Sequence, residues 1–368
     1  MVVRRLALQH FRNIALAALE FSGGGTAFVG SNGQGKTNVL EALGFLTALR
    51  SFRQTDHRLL IAHGQTEAAL RFEVEHERLG PTTITVRLRG DAKDVVLDET
   101  PVTRLGDILG RFPTVLFSSQ DIQLIRGSPA LRRRWLDLVL AAMDSSYLDA
   151  LQRYHRALAE RNRLLKDRSD AAQLDAFEIP LAAAAEAIGR ARTAGVAELA
   201  GLVAKGYAAL APGLEAAGLA YEADVPALEA GGFRELLAAT RERDLAMKIT
   251  LRGPHRDDLD FTLDGRSGRD FGSEGQQRSL VLSLRLAQLG YFHERSGVRP
   301  VVLADDVLGE LDPERRRRFW AALAPGLQVF ATGTVEPDVA ATGGWQLFRV
   351  EQGTFGSAAS VPPPEGGP

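Results

Sequence analysis

The run GSNGQGKT, Gly30-Ser31-Asn32-Gly33-Gln34-Gly35-Lys36-Thr37, follows a short apolar segment, Thr26 to Val29, and leads into an amphipathic one, Asn38 to Leu49. Strand, glycine loop and helix in that order are the context that a phosphate-binding loop requires. The glycines let successive backbone N–H groups turn inward to cradle phosphate oxygens. The helix that begins at the loop adds the positive end of its dipole. Lys36 can reach the β- and γ-phosphates, and the Thr37 hydroxyl can ligate Mg²⁺. A nucleoside triphosphate is therefore the expected ligand.

The whole chain has 368 residues, room for one large domain or two to three ordinary ones. It is 45% hydrophobic and 24% charged, a globular balance. It contains no Cys, which excludes a disulfide framework and any Cys-based metal or redox site and suits a reducing cytosol. The N-terminal residues lack the apolar core of a signal peptide, and no uncharged apolar run reaches the ~18 residues of a membrane span. A cytoplasmic protein is expected. The formal net charge is −2, so any affinity for nucleic acid has to come from local patches.

Around the loop, Val2 to Gln9 and Ile14 to Phe21 read as strands bracketing a turn, His10 to Asn13. Glu67 to His76, Thr82 to Arg89, Asp94 to Leu97 and Pro113 to Phe117 read as further strands. From Ser128-Pro129, a helix start, to about Arg243 no convincing strand is visible. Helical spacing marks Leu131 to Met143, Tyr147 to Lys166 and an Ala-rich stretch from Gln173 to Ala211. Strands resume at Ala246 to Leu251, Leu259 to Leu263, Val301 to Ala304, Leu327 to Ala331 and Gln346 to Val350. Helices are expected over Ser273 to Glu294 and Pro313 to Leu323. The predicted division is 1–122 and 246–355 for the two halves of an α/β head, 123–245 for a mainly helical insertion, and 356–368 for a disordered tail.

Two further motifs carry chemistry. VVLADD, Val301 to Asp306, describes a central parallel strand that ends in acid at its carboxyl edge. Asp305 is placed to hold Mg²⁺, directly or through water, and Asp306 to accept a proton from the attacking water. Two acids capping a strand end would read the same way without the phosphate loop. In SEGQQRSL, Ser273 is a natural N-cap, with Glu274, Gly275 and Gln276 in the first turn. Ordinary helices start so, but a hydroxyl, exposed N–H groups and a positive dipole together suit a γ-phosphate.

These motifs resemble the ABC-type ATPases: SEGQ looks like their signature, and VLADDVLGELD like a Walker B strand running into a D-loop, Gly309 to Asp312. The insertion resembles the SMC-like branch rather than transporters. More closely still the chain resembles the RecF family of bacterial recombination mediators. The similarity lies in LALQHFRNI, GSNGQGKTNVLEAL, SFR at Ser51 to Arg53, GSPALRRRWLD, RNRLLK, GPHRDDL, SEGQQRSL and DDVLGELD. The resemblance implies an ABC/SMC-like head of two lobes with mixed sheets and a short helical arm. It implies that two subunits sandwich two ATP molecules, so that Lys36 and Thr37 of one face Ser273, Gly275 and Gln276 of the other. It places Asp312 at the shared interface, Arg12 toward the phosphates, and Gln120 in a Q-loop that links Mg²⁺ or the attacking water to the arm. Two departures stand out. Asp306 occupies a position where transporters carry the longer glutamate, which implies slow hydrolysis. The segment Thr332-Gly333-Thr334 has no switch histidine.

From Arg126 to Arg168 the sequence has ten basic and five acidic residues, a local balance of +5. Arg132 and Arg133 lie in this region. Arg153, Arg156, Arg163 and Lys166 fall near one helix face, as phosphate contacts would require. Charge alone favours a solvated face; the resemblance implies duplex DNA near single-strand gaps. It also implies RecR as partner, RecO and the recombinase RecA in the same pathway, an ATP-dependent homodimer and a nucleoid location. GPHRDD, Gly253 to Asp258, reads as a lobe-joining or DNA-facing turn, with a metal site through His255, Asp257 and Asp258 unsupported by the resemblance. The competing functions are another SMC-like head acting as a DNA clamp, a transporter ATPase subunit, and a static DNA-binding scaffold. The helical insertion argues against the transporter, and intact Lys36, Thr37 and Asp305 argue against the scaffold.

Overall fold

The computed structural model describes residues 1–53, 56–167, 171–213, 215–226, 231–307, 311–336 and 344–358. They form two compact units, 1–121 with 288–368, and 122–287. The insertion expected over 123–245 lies wholly inside the second unit, which continues through 246–287.

In the first unit, β1 (Val2–Phe11), β2 (Ile14–Glu20), β4 (Glu67–His76), β5 (Gly80–Arg89), β6 (Ala92–Leu97) and β7 (Thr100–Pro101) make an antiparallel sheet ordered β2-β1-β4-β5-β6-β7. Strand β4 alternates: Leu70, Phe72 and Val74 are buried while Glu67, Arg71 and Glu75 are exposed. The second sheet holds β3 (Gly25–Val29), β8 (Thr114–Ser118), β12 (Val301–Asp305), β13 (Val329–Gly333), β14 (Gln346–Glu351) and β15 (Thr354–Ala358). Its order is β15-β14-β3-β13-β12-β8, parallel except for β15. The carboxyl ends of β3, β13 and β12 therefore lie side by side at one edge, where open α/β sheets bind ligands.

Helix α1 (Lys36–Ala48) packs on β8, β12 and β13, and its apolar residues join a core that also draws on the first sheet. Val39, Leu40, Leu43, Phe45 and Leu46 are all buried, as is Glu41. The amphipathic character expected of this helix is thus replaced by burial around most of its circumference. Phe28 of β3 stacks on Phe348 of β14, ring centroids 5.5 Å apart. Helix α9 (Pro313–Ala322) buries Phe319 edge-on against Phe117 of β8.

The second unit contains α2 (Gln123–Arg126), α3 (Pro129–Met143), α4 (Ser145–Asp167), α5 (Ala171–Leu210), α6 (Gly232–Met247), α7 (Gly268–Phe271) and the start of α8 (Glu274–Ser296). Its small antiparallel sheet is ordered β11-β10-β9, from β9 (Ala217–Glu222), β10 (Asp258–Leu263) and β11 (Arg266–Ser267). The strand β9 falls inside the stretch read as strand-free. Its pairing with β10 is what recruits it, and a lone weakly alternating segment carries no such signal.

Two other expectations fail. Ala246 to Leu251 is no strand: α6 runs to Met247, and Lys248 caps it at φ 57. The apparent alternation came from Met247 and Ile249, which are exposed. The disorder expected from 356 does not hold for 356–358, where β15 pairs with β14 out to Leu347↔Ala358. Residues 359–368 lie outside the described residues. No helix among the described residues is long and apolar enough to cross a membrane.

Candidate nucleotide site

The loop between β3 and α1 has the geometry of a phosphate cradle. Gly33 and Gly35 have φ of 81° and 110°, which other residues adopt only with strain. At Gly30 a Cβ would lie 2.3 Å from the Val350 carbonyl oxygen, so no side chain fits. Lys36 Nζ is folded along the loop, donating to the carbonyls of Gly30 (2.6 Å) and Ser31 (2.9 Å). The Gln34 carbonyl accepts from Asn13 Nδ2 (3.2 Å) and from Gly353 N–H (2.8 Å). Gln34 Oε1 accepts from Gln352 N–H at 2.8 Å. The loop is thus pinned on one side by the turn after β1 and on the other by the β14–β15 hairpin.

Asp305 meets this loop directly. Thr37 Oγ1 donates to Asp305 Oδ1 at 2.8 Å, and Thr332 Oγ1 donates to the same oxygen at 2.9 Å. Burial pushes the Asp305 carboxyl above its ordinary value of 3.8, while the two hydroxyl donors pull it down. Asp306 sits in the left-handed region at φ 54, and its N–H donates to Thr332 Oγ1 at 3.0 Å. Gln120 is exposed in the 3-10 turn after β8, two residues beyond Ser118, the register partner of Asp305.

Arg12 is braced at the side of the loop. Its guanidinium grips Glu41 through Nε (2.9 Å) and Nη2 (2.8 Å) and donates from Nη1 to the Leu59 carbonyl (2.8 Å). Glu41 also accepts from Ser51 Oγ and pairs with Arg53 at 3.7 Å. The SFR triplet and Arg12 therefore converge on one buried carboxylate of α1. Sequence reading missed Glu41 and Thr332. The only available signal was an acid on an otherwise apolar helix face, and a hydroxyl at the end of a buried strand.

In the second unit, Ser273 and Gln276 form a reciprocal capping box at the start of α8. Ser273 Oγ accepts from Gln276 N–H (3.3 Å), and Gln276 Oε1 accepts from Ser273 N–H (2.7 Å). Gly275 lies in this first turn. Asp312 caps α9 in the first unit, accepting from Arg315 N–H at 2.9 Å. Gly309 and Glu310, with Leu308, lie outside the described residues. Among the described residues no group of three His, Cys, Asp or Glu is placed to hold a metal.

Comparison with known proteins places the chain. The family model described as the RecF/RecN/SMC N terminal domain matches residues 2–340. The DNA replication and repair protein RecF of Geobacter metallireducens is 38% identical over 341 residues, 91% of this chain and 93% of that protein. That of Thermosynechococcus vestitus is 36% identical, covering 98% of both chains. A solved structure of the recombination mediator protein RecF with ATP, in the RecFOR pathway, superposes with a TM-score of 0.89 at 29% identity, covering 97% of this chain and 98% of that one.

The chain belongs to the RecF family.

A Pyrococcus furiosus Smc head matches at a TM-score of 0.56 and 18% identity, a likeness of fold alone. The expected α/β head of ABC/SMC type is therefore the fold of this RecF-family chain. Its basic region needs correction, however. Arg132 is buried at 5% exposure, bidentate to Asp258 (2.6 and 2.8 Å) and bonded to the Gly127 carbonyl. It presents nothing to a DNA phosphate. Arg133 is half-buried and donates to the Asp257 carbonyl at 2.6 Å. Arg153, Arg156, Arg163 and Lys166 are exposed on α4, opposite the buried line of Tyr147, Leu151, Tyr154, Ala157, Arg161 and Leu165. Arg163 is paired with Glu160 (3.0 Å) and Asp167 (3.3 Å). Arg168 lies outside the described residues.

GPHRDD packs into the second unit through Gly253, Pro254 and Asp257, while Arg256 is exposed. Asp257 is buried, accepting from Arg192 Nη1 (2.6 Å), Tyr221 Oη and Asp224 N–H (2.9 Å). His255 bridges the Tyr154 hydroxyl (2.6 Å) and the Thr250 carbonyl (3.0 Å). Burial lowers the His255 pKa from its ordinary value and outweighs the bond to the Thr250 carbonyl, which raises it.

Proposed function

We propose that this chain is an ATP-switched, DNA-binding recombination mediator acting in replication and repair. ATP closes a homodimer on duplex DNA near single-strand gaps, and the closed form helps load recombinase. RecR is the expected direct partner, with RecO and RecA in the same pathway, in the cytoplasm at the nucleoid. The observation that carries this reading is the Thr37–Asp305 hydrogen bond, which joins phosphate loop and acidic strand into one site within a RecF-family chain.

The residues fit ATP and Mg²⁺. Loop amides from Gly30 to Thr37, including those of Ser31, Asn32 and Gln34, would hold the phosphates, and Gly30 is closed to any side chain. A hydroxyl and a carboxylate, Thr37 and Asp305, are hard oxygen donors suited to Mg²⁺; Gln120 is proposed as a further contact. Bound there, the ion would neutralise charge on the phosphate oxygens. Lys36 binds the β- and γ-phosphates, and Arg12 keeps N–H groups beyond those given to Glu41 and Leu59. Asp306 accepts a proton from water. Ser273, Gly275 and Gln276 of a second copy cover the γ-phosphate, with Asp312 at the interface. The exposed α4 stripe of Arg153, Arg156, Arg163 and Lys166 meets the DNA backbone.

Fluorescence anisotropy with a gapped duplex tests this. ATP should tighten binding relative to ADP, and Lys36→Arg should abolish the difference. Arg163→Glu with Lys166→Glu should weaken binding and flatten its salt dependence. DNA affinity indifferent to nucleotide and to these substitutions would overturn the reading.

A further inference from the structure

The strand order places β13 between the strand of the phosphate loop and the strand of the acids. Its near-terminal residue Thr332 is the register partner of Asp305 and is buried at 5% exposure. Its hydroxyl makes two bonds of opposite sense: it donates to Asp305 Oδ1 and accepts from Asp306 N–H. With Thr37 donating to that same Oδ1, both hydroxyls hold one oxygen of the carboxylate and leave Oδ2 for a further ligand.

Asp306 sits at φ 54, a conformation that a non-glycine residue keeps only when its surroundings enforce it. The Thr332 hydroxyl holds the amide that opens this turn. It thereby sets where the Asp306 carboxylate stands relative to Asp305.

We propose that Thr332 is a positioning residue for ATP hydrolysis, its hydroxyl locking the two adjacent acids in their separate orientations. The inference rests on Asp306 accepting the proton from the attacking water. Thr332 touches neither phosphate nor water in this account; it acts through Asp305 and Asp306. It stands in the segment where no histidine is available to do such work.

Thr332→Val keeps shape and burial but removes the hydroxyl, and Thr332→Ser keeps the hydroxyl. Single-turnover hydrolysis at saturating ATP should slow by about 10- to 100-fold in Thr332→Val, the scale expected when a reacting group is misplaced. Affinity for a non-hydrolysable ATP analogue and the Tm should stay near wild type, and Thr332→Ser should recover the rate. Hydrolysis at the wild-type rate in Thr332→Val would overturn the inference. So would a loss of analogue affinity or Tm in step with the rate that Thr332→Ser fails to repair. Asp306→Asn run alongside separates the levels: if it hydrolyses ATP like wild type, the proton-acceptor reading itself has failed and the inference falls with it.

Discussion

Thr37 and Asp305, 268 positions apart, meet in one 2.8 Å hydrogen bond from hydroxyl to carboxylate. Neither residue alone makes a cation site, and the bond shows that folding delivers them together. Thr37→Val removes the hydroxyl and leaves the helix dipole and Lys36 in place. Mg²⁺ should then no longer enhance ATP affinity, while affinity in EDTA stays near wild type. A fluorescent-nucleotide titration with and without Mg²⁺ measures both.

The phosphate loop is also held from behind. Gln352 and Gly353 form the two-residue turn of the β14–β15 hairpin with φ of 45° and 77°, the signs of a type I′ turn. At Gly353 a Cβ would stand 2.3 Å from the Asn13 carbonyl oxygen. Gly353→Ala should therefore push the hairpin off the Gln34 carbonyl and weaken ATP binding several-fold. Isothermal titration with ATP tests this, and Gly344→Ala, a turn position with open space around it, serves as the control.

Arg161 and Arg163 stand two residues apart on α4 with opposite roles. Arg161 is fully buried and bonds Glu178 (2.9 Å), Asp244 (2.8 Å) and Thr250 (2.8 Å). Glu178 keeps Arg241, but removing Arg161 leaves the buried Asp244 carboxylate without a counter-charge, so Arg161→Ala should cost about 3–5 kcal/mol. Arg163 is exposed, and Arg163→Ala should stay within about 0.5 kcal/mol. Urea denaturation of both variants checks the contrast.

That pair shows where sequence reading stops. The glycine loop, the acidic strand and the Ser273 N-cap were legible because each is a local pattern with one mechanism. Strand β9 and the interior role of Arg132 were not, because their reasons lie in partners far along the chain: Ala217–Glu222 needs β10, and Arg132 needs Asp258. A run of arginines reads as a basic surface until the fold reveals which ones face carboxylates. Thr332 was hidden for the same reason, since a hydroxyl after a buried strand says nothing until Asp305 is set beside it.

Glu77 ties the first unit together at acid-sensitive cost. Burial opposes its charge, but the Arg299 side chain (2.5 Å) and N–H (2.8 Å) outweigh that and hold its carboxyl at about 2 rather than 4.5. A depressed carboxylate contributes stability above its unfolded value and loses it as pH falls. The difference in Tm between wild type and Glu77→Gln should therefore be full above pH 5, shrink from about pH 4.5 downward, and vanish near pH 2. Thermal scans across that range check it.

We propose that ATP bound between Lys36 of one copy and Ser273 of another joins two chains. Sedimentation velocity with ATP, with ADP, and with Lys36→Arg or Asp306→Asn measures it most directly. Wild type should sediment as a dimer with ATP and a monomer with ADP; Lys36→Arg should remain monomeric, and Asp306→Asn should stay dimeric longer after ATP is added. A mass unchanged by ATP, in the presence and absence of DNA, would contradict the account.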